Sequence, residues 1–259
     1  MRLKSAFGPI RGTLLLAVLA ILAFTAPGSA QPSLDSLKRC VERSGLGQTS
    51  SFRMRQVILR DGQPARTFQA ECRLANRGEK LMIRFDDPPD MANVKLLFKD
   101  WGKQLWTYFP STNRVRKMAG ATSTQPIGSF GFSYNDLIPF LNDSSYAFKV
   151  LDDQAAGGRG YHRLEVRYGT RQSSLYRKSE LRIDAADCTL HEALLFGDGD
   201  RLLKTIRFQD YRTVKNRLVP SKIRLTQPDL GEQADITLLA IEFDKDYGPV
   251  FFTERGLKQ

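Results

Sequence analysis

Histidine is almost absent from this chain of 259 residues, which holds two, His162 and His191. They fall on separate expected strands, and no HExxH, HxH or CxxC spacing occurs, so the ligand sets of common structural and catalytic metal sites cannot be assembled. Nor is there a GxSxG elbow, a P-loop or a dinucleotide-type glycine spacing. Gly157-Gly158-Arg159-Gly160 is glycine-rich but reads as a turn. The carboxylate pairs Asp86-Asp87 and Asp152-Asp153 are adjacent in sequence. Neighbours on a strand point to opposite faces, so such pairs suit turns better than acid–base catalysis. The chain therefore reads as a non-enzyme with no metal and no cofactor.

Cysteine is scarce too. Cys40, Cys72 and Cys188 allow one disulfide with a thiol left over. A Cys40–Cys72 bridge would pin the first helix to a strand. The competing expectation is that Cys72, on the apolar face of its strand, is a small buried hydrophobe.

Long apolar runs are confined to the start. Arg2, Lys4 and Arg11 precede an apolar stretch from Thr13 to Phe24, and Gly28-Ser29-Ala30 supplies small residues before Gln31. The pattern is that of a cleavable secretory signal over residues 1–30, too short in its apolar part for a comfortable membrane span. The expected location is the periplasm. Removing three basic and no acidic residues lowers the net charge from +11 to +8. A basic secreted protein points to an anionic partner, such as phospholipid headgroups or an acidic protein surface, rather than to nucleic acid.

Residues 31–259 contain no linker, low-complexity tract or clear repeat and read as a single domain, expected to be a monomer. Ser33 to Ser44 has helical spacing, with Leu34, Leu37 and Val41 on one stripe, Ser33 as the cap and Gly45 as the stop. From Ser51 the period changes to two. Phe52, Met54 and Ile58 share a face against Arg53 and Arg55; Phe68, Ala70, Cys72 and Leu74 alternate with polar residues; so do Leu81, Ile83 and Phe85. Asp61-Gly62 marks a hairpin and Asp87-Pro88-Pro89 a break. Val94 to Phe98, Gln104 to Phe109 and Arg114 to Met118 continue the series. Strands are also expected at 146–151, 161–168, 179–183, 191–196, 201–211, 218–226 and 235–243. About a dozen hairpin-linked strands, each with one apolar face, favour an antiparallel sheet that curls around a shared interior.

The stretch from Phe98 to Leu137 also resembles a known family. Leu105-Trp106-Thr107-Tyr108-Phe109-Pro110, Arg114-Val115-Arg116, Gly128-Ser129 and Phe132-Ser133-Tyr134-Asn135-Asp136-Leu137 are similar to the LolA-like outer-membrane lipoprotein-sorting proteins. The likeness is to their longer branch, often found with RND-type transporters. The tail Phe252-Thr253-Glu254-Arg255-Gly256-Leu257 is similar to that branch as well. One departure is Gly131, where the branch usually carries an acidic residue. The resemblance implies a mainly β fold with a few helices: a half-open antiparallel barrel covered by the N-terminal helix and a loop or short-helix lid at about 119–142.

It also implies a carrier that binds lipid or lipoprotein acyl chains for transfer toward the outer membrane, touching membrane transiently. The alternative is an adaptor for an RND-type transporter with no lipid in its core. Phe68, Leu81, Ile83, Phe85, Leu96, Phe98, Trp106 and Phe109 are the expected lining of the hydrophobic cavity. Phe130, Phe132 and Leu137 are assigned to the lid. Shorter family members latch the lid with a strand arginine, for which Arg53 or Arg55 is the candidate. Arg114, Arg116 and Lys117 form a basic group that could meet anionic headgroups.

Overall fold

The computed structural model describes residues 31–43, 45–118, 133, 136, 146–168 and 175–259. The expected signal segment and the lid residues Phe130, Phe132 and Leu137 lie outside these.

Helix α1 spans Leu34–Arg43. Ser33 caps it as expected: its Oγ accepts from the Ser36 backbone N–H at 3.2 Å. At the other end Gly45 N–H donates to the Glu42 carbonyl. Leu37, Cys40 and Val41 are its buried face. The helix rests on the second arm of the sheet, against β7, β8 and β9.

Thirteen strands follow. The first arm is β1 (Ser50–Arg60), β2 (Gln63–Ala75), β3 (Lys80–Asp87), β4 (Lys95–Lys99), β5 (Gln104–Phe109) and β6 (Arg114–Lys117). The second is β7 (Ala147–Ala156), β8 (Arg159–Arg167), β9 (Lys178–Asp184), β10 (Leu190–Phe196), β11 (Leu202–Val214), β12 (Arg217–Gln227) and β13 (Glu232–Phe243). They make one sheet in the order β6-β5-β4-β3-β2-β1-β13-β12-β11-β10-β9-β8-β7, with β6 and β7 at its edges. Each arm is a run of hairpins, and the pairing of β1 with β13 joins the two antiparallel. The expected mainly β architecture is the observed one. Asp152 and Asp153 differ from expectation. They lie within β7 at a register shift between Leu151 and Gln154, so a bulge takes the place of a turn.

Alternation sorts side chains into two clusters. The larger fills the interior face and draws on both arms, from Phe68 and Phe85 to Leu164 and Leu181, with the buried stripe of α1 against it. One shared cluster requires the sheet to curl so that its arms face each other. The smaller lies on the outer face of the first arm: Ala75, Met82, Leu97 and Trp106, covered by Phe252 and Leu257 of the C-terminal segment.

That cover has a local logic. Helix α2 (Glu254–Leu257) is capped by Thr253, whose Oγ1 accepts from Gly256 N–H at 3.2 Å. A Cβ at Gly256 would lie 2.2 Å from the Phe251 carbonyl oxygen, so only glycine fits there. Phe252 and Leu257 project onto the strands, and Tyr247, Phe251 and Phe252 pack at 4.9–5.2 Å between ring centroids.

Candidate functional site

The interior face of the first arm is an apolar ladder in cross-strand register. Cys72 and Leu96 flank Ile83, Ala70 sits opposite Phe85, and Phe98 opposite Leu81. Phe68 and Phe85 meet edge to face at 6.3 Å. Phe68, Ile83 and Phe85 have no exposed surface. Burying each such side chain contributes roughly 1.5–3 kcal/mol.

Six of the eight expected lining residues, Phe68, Leu81, Ile83, Phe85, Leu96 and Phe98, are therefore together in the interior cluster. Trp106 is not among them. It sits across from Leu97 on the outer face, with Lys99 and Lys117 over its ring at 5.4 and 5.1 Å. On β5 the interior positions are Leu105 and its alternates, which puts the intervening Trp106 outside. Phe109 is half-buried near the sheet edge, with the Arg116 guanidinium 6.0 Å from its ring centre. Arg114, Arg116 and Lys117 are exposed on edge strand β6.

Arg53 and Arg55 are exposed between the buried interior positions of β1, so both face away from the interior. Arg53 pairs instead with Asp86 at 3.5 Å. The interior holds a different ion pair. Lys204 on β11 shares the inner face with Ile206 and stands opposite Leu195. Its Nζ lies 2.6 Å from Asp136 Oδ2, and both side chains are buried, at 6% and 0% exposure. Asp136 Oδ2 also accepts from the Ser133 backbone N–H at 2.6 Å, and Oδ1 from the Tyr176 hydroxyl at 3.3 Å. Tyr168 donates to Ser179 Oγ at 2.9 Å nearby. Burial pushes both tyrosine pKa values well up, and Asp136 adds to the shift at Tyr176, so both stay neutral donors.

The disulfide joins Cys40 of α1 to Cys188 in the β9–β10 turn, across a sequence separation of 148. The Cys40–Cys72 alternative is thereby overturned. The helix packs on the second arm, whereas Cys72 sits mid-strand in the first. Cys72 is a free, fully buried thiol, its pKa driven up by desolvation, and fills core volume as a small hydrophobe.

Neither histidine lies in the interior cluster. His162 Nδ1 is 3.0 Å from Asp153, and His191 stacks on Tyr161 at 4.9 Å. Among the described residues no group of three His, Cys, Asp or Glu side chains is placed to hold a metal ion.

A family model described as a "-like" uncharacterized protein family matches residues 77–259. This chain belongs to that family. No curated protein matches the chain significantly. Solved structures similar over most of this chain include the following three. A candidate outer membrane lipoprotein-sorting protein domain from Vibrio parahaemolyticus is 21% identical with a TM-score of 0.74, over 87% of this chain and 96% of that one. A DUF1329 family protein from Desulfovibrio piger gives 18% and 0.75, over 86% and 96%. A LolA superfamily protein from Nitrosomonas europaea gives 16% and 0.73, over 86% and 98%. The fold is LolA-like.

Proposed function

We propose that this protein is a non-enzymatic carrier, exported to the periplasm, whose interior takes up the acyl chains of a lipid or lipoprotein for transfer toward the outer membrane. The observation that carries this reading is the interior face itself: an apolar surface spanning both arms of an open sheet, backed among the described residues by one ten-residue helix. A LolA-like fold, shared with a protein assigned to outer membrane lipoprotein sorting, supports it.

Transfer requires binding that is large yet reversible. Each buried CH₂ contributes roughly 0.8 kcal/mol, so a single long chain supplies ample affinity. In this structure Phe68, Ile83 and Phe85 have no accessible surface. An acyl chain enters by displacing what covers them. Asp136 belongs to the expected lid stretch, and on this reading its bond to Lys204, 2.6 Å long and buried, is an attachment that yields. Such a pair fits a cover that opens and recloses, since water or a competing charge can replace either partner.

Uptake of a fluorescent acyl probe tests the reading. The purified protein should bind the probe saturably, and Ala193→Phe, which fills interior volume, should weaken binding while the circular dichroism spectrum is unchanged. Failure of the folded protein to bind any acyl probe would refute the carrier and leave the transporter-adaptor reading.

A further inference from the structure

At one end of the curled sheet, where α1 ends, β1 and β12 begin and β2 runs out, a cavity of ≈ 340 Å³ opens to solvent. Four arginines line it, Arg39, Arg43, Arg77 and Arg217, against one carboxylate, Glu42. Glu42 is already engaged: its Oε1 accepts from Arg77 Nη1 at 3.2 Å. The Gln48 amide, turned to accept, takes Arg77 Nε at 2.7 Å and Nη2 at 3.1 Å and fixes that wall. Among the described residues, none offers Arg39, Arg43 or Arg217 a carboxylate within ion-pair distance.

Arg217 is held in place by packing. Its guanidinium lies 5.2 Å from the Phe243 ring centre. Gly47, at φ +74, makes room: a Cβ there would stand 3.1 Å from Arg217 Nη1 and 3.2 Å from Phe243 Cδ1. The floor is apolar. Leu74 belongs to the interior cluster and Leu46 packs against it, so the cavity runs from a cationic rim down to the core.

We propose that this cavity binds a phosphate-type oxyanion, and that in the working carrier the anion is the headgroup of an amphiphile whose chain lies in the interior. The second clause rests on the carrier function proposed above; the first stands without it. Four guanidinium groups sharing a small concave space with one occupied carboxylate repel one another, and a bound anion relieves that repulsion. The guanidinium fork matches phosphate oxygens bidentately. The apolar floor beside the rim matches the junction between headgroup and chain. The site therefore adds a charge selection to an interior that reads only apolar length.

Competition against a fluorescent acyl probe tests this with three ligands: lysophosphatidic acid, a monoacylglycerol of the same chain, and inorganic phosphate. The wild type should prefer lysophosphatidic acid roughly tenfold or more, the factor one charge-assisted contact supplies. Arg43→Gln/Arg217→Gln should abolish that preference and leave monoacylglycerol binding unchanged. Arg39→Gln/Arg43→Gln, which spares the packing on Phe243, should reduce it in a protein of wild-type stability. Equal wild-type affinity for the two lipids, with no phosphate binding by calorimetry, would overturn the anion site and leave the carrier standing. Phosphate binding seen by calorimetry and lost in the double variants, with no acyl ligand bound, would keep the anion site as one for free phosphate and remove the carrier. Binding of none of the three would overturn both.

Discussion

The two faces of the sheet bury apolar clusters in different ways. On the outer face of the first arm, Met82, Leu97 and Trp106 are sealed by Phe252 and Leu257 from the chain's own C-terminal segment. That seal is made of van der Waals contacts, a threonine cap and a glycine that nothing larger can replace. The interior cluster is larger, and its described attachments are of another kind: a disulfide that fixes α1 and a buried ion pair that fixes Asp136. A packed plug gains little from partial opening, since it forfeits dispersion contacts with nothing in exchange. An ion pair can exchange its partner for water. The outer cover is thus built to stay; under the proposed carrier function, the ion pair at Asp136 is the interior attachment that yields.

The largest way to break the contrast is at the disulfide. Cys40→Ser/Cys188→Ser should lower stability by about 5 kcal/mol, from loop closure over the separation of 148 residues. Urea denaturation with and without reductant measures it, and reductant should affect the wild type and not the variant. Asp136→Asn comes next. It leaves Lys204 as a buried, unpaired cation, with an expected loss of about 3–5 kcal/mol. Asp136→Asn/Lys204→Met should recover much of that loss yet exchange acyl probe faster than the wild type, since the attachment is gone and the core is intact. The outer seal gives the smallest effect. Leu257→Ala should cost about 2–5 kcal/mol, and it should leave acyl-probe exchange unchanged. Faster exchange in Leu257→Ala would erase the distinction between the two covers.

How much of the fold and site is legible in the sequence follows from range. Period-two alternation is local, so Leu81, Ile83 and Phe85 declare both strand and face by their spacing alone. The Ser33 cap and the Gly45 stop are equally local. Trp106 misleads because β5 carries large side chains on both faces, Leu105 inward and Trp106 and Tyr108 outward, and aromatic weight alone does not give a face. The partner of Cys40 lies 148 residues away and depends on which arm receives the helix. Asp136 and Lys204 are 68 residues apart, and nothing local distinguishes Lys204 from the other lysines. Its one signal is a cation two residues before Ile206 on the inner face of β11, where alternation calls for an apolar side chain. The same test of parity sets Arg53 and Arg55 aside, since both alternate outward from Phe52 and Met54.

Whether the interior holds acyl chains is tested most directly by mass spectrometry of solvent extracts from the purified protein. A carrier should yield a reproducible lipid, near one equivalent per chain, that is depleted in the interior-filling variant Ala193→Phe. Protein that is free of lipid after purification from membrane-rich lysate, and stays free after incubation with acyl lipids, would contradict it.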